Sequence, residues 1–97
     1  MRETTTPDMQ CLIAQKCDEL KEMLLEKNRK YGNSALEPRR IFSKASPVEQ
    51  ILVRLDDKLS RLQAAQGDDM EDPVRDMNGY LILLQIARDL EKGEKKP

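Results

Sequence analysis

Apolar residues in this chain recur at helical spacing and never alternate as they would in a half-buried strand. Met9, Ile13, Cys17, Leu20, Leu24 and Tyr31 follow one another at three, four or seven residues, which places them on one helical face. Thr6-Pro7 reads as a cap with proline in the first turn, and Gly32 is a stop signal. A clearer start is Ser46-Pro47-Val48-Glu49, with Ser, Pro and Glu in capping-box positions. The second helix carries Val48, Ile51, Leu52, Leu55, Leu59 and Leu62 on one face and stops near Gly67. Asp72-Pro73 opens a third, which runs through Met77, Leu81 and Leu84 to about Leu90. The pattern therefore predicts a single all-α domain over residues 1–97, with three main helices at about 7–31, 47–66 and 73–91. A loop spans 32–46, and the charged tail 92–97 is expected to fray. Ile41 and Phe42, apolar residues in the second half of that loop, are expected to pin it to the helices.

Composition changes this picture in one respect. The 97 residues include one Phe, two Tyr and no Trp, and charged residues (36%) nearly match apolar ones (38%). A core built from so little is small. Association between chains is the usual remedy, so the helical bundle is expected to be completed by a homo-oligomer, a dimer or higher. The net charge of −1 argues against nonspecific binding to duplex nucleic acid. No run is long and apolar enough for a signal core or a membrane span, which implies no membrane partner and a cytoplasmic protein. Cys11 and Cys17 fall on different helical faces, so no internal disulfide is expected, and with no His in the chain they make no zinc set.

Charge is distributed less evenly than the total suggests. Between Lys27 and Lys44 there are six Lys or Arg and one acid, Glu37. By contrast, Asp68, Asp69, Glu71, Asp72 and Asp76 surround a single base, Arg75. A basic loop can hold phosphates, and an acidic helix start can hold the metal that accompanies them. On the first helix Glu19, Glu22 and Glu26 lie opposite the apolar stripe, either as a solvated face with Arg29 and Lys30 nearby or as a Glu-x-x-Glu magnesium site. Arg54, Asp57, Lys58 and Arg61 form a second stripe on the next helix, on the face away from the Leu stripe; Val53 and Ala64 border it, which suggests a second packed face. Asp76 projects between Tyr80, Leu83 and Ala87 on the third. A carboxylate there is either ion-paired, with Arg54, Lys58 or Arg61, or metal-bound, because a bare buried charge costs too much. Asp72 lies one turn earlier, as an N-cap, a second ligand, or both. There is no glycine-rich phosphate loop and no His base, so any hydrolysis would rest on metal-assisted carboxylates.

Three segments carry a resemblance. Lys27-Asn28-Arg29-Lys30-Tyr31-Gly32-Asn33-Ser34 resembles the Lys-Asn-x-x-Tyr-Gly signature of a small phage and bacterial family, the nucleotide-modification-associated domain. That family is akin to the MazG-type all-α nucleotide pyrophosphohydrolases. Arg54-Leu55-Asp56-Asp57-Lys58-Leu59-Ser60-Arg61 is similar to its Arg-Ile-x-Asp-Lys-Leu-x-Arg helix. Glu71-Asp72-Pro73-Val74-Arg75-Asp76-Met77-Asn78-Gly79-Tyr80 is similar to its Glu-Asp-Thr-x-x-Asp-Leu-x-Asn/Gly-Tyr helix. The segments come in the family's order and span about residues 22–84.

The resemblance implies a MazG-like four-helix-type bundle assembled between chains, with nucleotide at its centre. It implies a magnesium or polar centre of Glu22, Glu26, Asp57, Asp72 and Asp76, with Glu22 and Asp76 in the catalytic role. Lys27, Asn28, Tyr31, Lys58 and Arg61 become the nucleotide contacts. The MazG-type pattern is Glu-x-x-Glu followed by Glu-x-x-Asp. Here Glu19-x-x-Glu22 gives the first half, while the second is Asp72-x-x-x-Asp76, a spacing that still stacks the carboxylates on one face.

The expected function is nucleotide binding by a phage-type protein in the host cytoplasm. The leading form is a magnesium-dependent nucleoside triphosphate pyrophosphohydrolase. The alternative is a non-catalytic sponge that sequesters a nucleotide, such as a cyclic nucleotide signal of antiviral defence, and the altered metal pattern and small size favour it. A third reading is a structural adaptor whose charged stripes serve oligomer contacts.

Overall fold

The computed structural model describes residues 3–36, 42–67 and 71–93. These form three helices, α1 (Thr6–Tyr31), α2 (Pro47–Ala64) and α3 (Glu71–Glu91), with no strand among the described residues. The chain divides into two compact units, Met1–Gly32, which holds α1, and Asn33–Pro97, which holds α2 and α3.

Local chemistry sets the helix ends. Thr5 caps α1, one residue earlier than the sequence signal. Its hydroxyl accepts from the Asp8 N–H at 3.2 Å, and its own N–H donates to the Asp8 carboxylate at 3.3 Å. Two N–H groups that the helix cannot satisfy are thereby paired. At the other end Gly32 takes φ 62°, a conformation that a side chain would strain, while its N–H closes on the Asn28 carbonyl at 2.8 Å. α1 buries none of its residues, and Met9, Leu12, Ile13 and Leu25 are exposed.

The Ser46 hydroxyl caps α2 by accepting from the Glu49 N–H at 3.1 Å, and the Gln50 side-chain amide ties back to the Ala45 carbonyl at 3.2 Å. α2 ends at Ala64, and Gly67, with φ 60°, turns the chain three residues later. α3 begins at Glu71, ahead of the expected Pro73. Proline is tolerated there because N–H groups of a first turn have no intrahelical acceptor. Asp72 is consequently the second residue of α3 and not its N-cap. It remains where the helix dipole favours a carboxylate.

α2 and α3 pack on each other. Ile51 of α2 is 1% exposed and Ala87 of α3 is 3% exposed, and Pro73 and Gly79 of α3 are also buried. Leu55, Lys58 and Leu62 share the inward side of α2 with Ile51 and are half-buried, at helical spacing, so Lys58 stands among the Leu stripe and not on the face away from it. Leu52 and Leu59 fall to one flank and are exposed. The expected second packed face of α2 is not seen in this unit, since Val53 and Ala64 are both exposed.

The expectation for Phe42 requires correction. Its side chain is 96% exposed, so it pins nothing. The short ties at this end of the loop are polar, from the Ala45 N–H to the Ser43 hydroxyl and from Gln50 to Ala45. Ile41, Arg39, Arg40, Glu37, Asp68, Asp69 and the tail from residue 94 lie outside the described residues. No helix among the described residues is long and apolar enough to cross a membrane.

Candidate functional site

Two contacts build a polar seam along the α2–α3 hairpin. Lys58 Nζ lies 3.3 Å from Asp76 Oδ2, with the two side chains only 16% and 29% exposed. One turn earlier on α2 and one turn later on α3, Arg54 meets Tyr80. Its Nη1 donates to the Tyr80 hydroxyl oxygen in a long 3.5 Å hydrogen bond. Its guanidinium carbon lies 5.9 Å from the ring centroid, within cation–π range. Four residues separate the contacts on each helix, in opposite directions, as an antiparallel helix pair demands.

The same physics explains why these residues meet. Asp76 lies among the inward positions of α3, flanked in sequence pattern by Tyr80 and Leu83, which are half-buried, and by buried Ala87. Lys58 reaches it from the inward side of α2, its aliphatic stem covering apolar surface while the ammonium meets the carboxylate. Screening by solvent is weaker here than at the surface, so this pair is held more firmly than an exposed one. Asp76 is ion-paired with Lys58, one of its three candidate cations. Asp76 has at least one further interaction.

Arg61 and Asp57 are joined one turn apart on α2, Nε to Oδ2 at 3.3 Å, and both are mostly exposed. Of the other site residues, Asp72 is on α3 and the rest stand on α1, in the other unit. Glu26 accepts from Arg29 at 2.7 Å, and Glu19 meets Lys16 at 3.3 Å, both within α1 itself. Glu22 and Tyr31 are exposed. Asn28 donates from its side-chain amide to the Gly32 carbonyl at 3.2 Å, reinforcing the end of the helix. Lys27 is exposed and engaged in an interaction of its own. Cys11 and Cys17 are free thiols on exposed positions.

A magnesium ion needs several converging oxygen ligands. Among the described residues no group of three or more His, Cys, Asp or Glu side chains gathers closely enough to hold one. Asp57 and Asp76 are each bonded to a cation, and Asp72 is exposed one turn before Asp76.

The pair that sequence reasoning left out of the site is Arg54 with Tyr80. A signal for it exists in the spacing. Arg54 precedes Lys58 by four residues and Tyr80 follows Asp76 by four, so pairing Lys58 with Asp76 in an antiparallel hairpin brings Arg54 to Tyr80. No family model, curated protein or solved structure matches the chain.

Proposed function

We propose that this chain is a nucleotide-binding helical protein that holds its ligand through the polar seam of the α2–α3 hairpin and returns it unchanged. The observation that carries this reading is Arg54 resting over Tyr80, one turn from the half-buried Lys58–Asp76 pair. Arg54 is exposed and has no carboxylate partner among the described residues. A guanidinium fixed by an aromatic ring is pre-organised to bind phosphate oxygens bidentately. The Tyr80 ring offers a stacking surface of the kind that bases and guanidinium groups share. Lys58 and Arg61 extend the cationic line along α2.

The binder is proposed to act as a homo-oligomer in the cytoplasm, as a phage-type protein sequestering a linear or cyclic nucleotide. The resemblance of residues 27–34, 54–61 and 71–80 to the nucleotide-modification-associated domain supports the nucleotide class. Retention without cleavage is supported by the use of Asp57 and Asp76 in ion pairs.

A second reading, magnesium-dependent pyrophosphohydrolysis, is favoured by Asp72 standing exposed one turn before Asp76. It requires further carboxylates beside Asp72 and Asp76.

Calorimetric titration of the whole protein with nucleoside triphosphates and cyclic dinucleotides, in EDTA and then in Mg²⁺, separates the two. The recovered ligand is analysed by chromatography. Binding in EDTA with intact ligand is the expected result. Release of pyrophosphate only with Mg²⁺ would replace the sponge with the enzyme.

A further inference from the structure

We propose that Asp76 is a built-in competitor for the anion site, holding Lys58 until a ligand phosphate displaces it. This rests on the reading of the seam as a phosphate-binding surface and adds the order in which its cations are used.

The two ion pairs along α2 differ in kind. Arg61 and Asp57 are 64% and 58% exposed, whereas Lys58 and Asp76 are 16% and 29% exposed, at the same 3.3 Å separation. An exposed pair exchanges with water at little cost. The half-buried pair keeps more of its attraction, so an incoming anion must compete with Asp76 for the ammonium. Arg54 faces no such competition, because its partner is the neutral Tyr80 hydroxyl and ring. Arg54 therefore makes the first contact with the anion. Lys58 joins only as its bond to Asp76 opens. Against Arg54, Lys58 and Arg61 stand Asp57 and Asp76, which leaves the line one positive charge in excess. Neutralising Asp76 releases the Lys58 ammonium to the anion.

The sign of this effect is what distinguishes the inference. A carboxylate that contacts ligand or metal loses binding when neutralised, whereas a competitor gains it. The test is titration of the full chain with inorganic tripolyphosphate in EDTA, comparing wild type with Asp76→Asn and Asp76→Ser. Circular dichroism identifies which variant retains helicity, and that one is read. The expected result is affinity about threefold to fivefold above wild type, the range set by one partly exposed ion pair.

The Lys58→Met background provides a readout that a purely structural role for Asp76 would not move. In that background Asp76→Asn is expected to change affinity by less than about a factor of two, because the competed cation is gone. Wild type that binds while the Asp76 variants bind equally or more weakly overturns the competitor role alone. Failure of wild type and all variants to bind tripolyphosphate overturns the phosphate-binding reading together with it.

Discussion

Arg54 is the side chain on which the proposed ligand contact most depends, since its guanidinium is exposed and oriented by Tyr80. Arg54→Ala is expected to weaken nucleotide binding about tenfold or more, the scale of a lost charged hydrogen bond. Arg54→Lys should recover little of this, because an ammonium offers no bidentate fork and stacks poorly on a ring. Tyr80→Phe keeps the ring and removes only a long 3.5 Å hydrogen bond, so its binding should stay within about a factor of two of wild type. Fluorescence or calorimetric titration of the three variants checks the order, and a Tyr80→Phe loss as large as that of Arg54→Ala would contradict it. At this scale the sequence carried part of the answer. Helical periodicity puts Asp76 on the packed face of α3, and burial then requires a partner. Periodicity gives the faces of each helix but not how two helices are rotated against one another, so Lys58 could not be chosen over Arg54 or Arg61. Phe42 illustrates the opposite failure. Two adjacent apolar residues in a loop carry no period, and one of them is almost fully exposed.

The helices themselves were legible because their ends have chemical causes. Proline near each start, Ser46 at a cap and Gly32 at a positive φ are all visible in the chain. The differences lie at positions where propensity is permissive. α3 starts at Glu71 because a first turn tolerates Pro73, and α2 closes at Ala64 with the positive-φ turn deferred to Gly67. Two variants probe the elements separately. Thr5→Ala removes the hydroxyl half of the α1 capping box and is expected to cost about 1 kcal/mol of helix stability, read as reduced helicity at moderate temperature. Ile51→Ala opens a cavity at the most buried side chain of the hairpin. It should cost about 2–5 kcal/mol, a large share of the stability of a small domain. Chemical denaturation followed at 222 nm measures it, and an unchanged midpoint would show that α2 and α3 are not held by that contact.

For the molecule as a whole, the shortage of buried residues is the main physical constraint. α1 is 26 residues long and buries none of them, whereas helices in proteins draw most of their stability from packing an apolar face. Among the described residues of the hairpin, Ile51, Pro73, Gly79 and Ala87 are the buried ones. We therefore predict self-association of the full chain. Sedimentation velocity should show a dimer or larger species at micromolar concentration, and helicity that falls on dilution. A monomer with undiminished helicity at nanomolar concentration would contradict this. Binding should also weaken as salt rises, because the proposed contacts are charged and part of the seam is exposed. The most direct test of the central claim is a heteronuclear NMR titration of the labelled protein with a nucleoside triphosphate and with a cyclic dinucleotide, in EDTA. The account predicts saturable shifts centred on Arg54, Lys58, Asp76 and Tyr80, with the ligand resonances returning unchanged after removal of the protein. No shifts with any nucleotide, or saturable shifts that leave these four residues untouched, would contradict it.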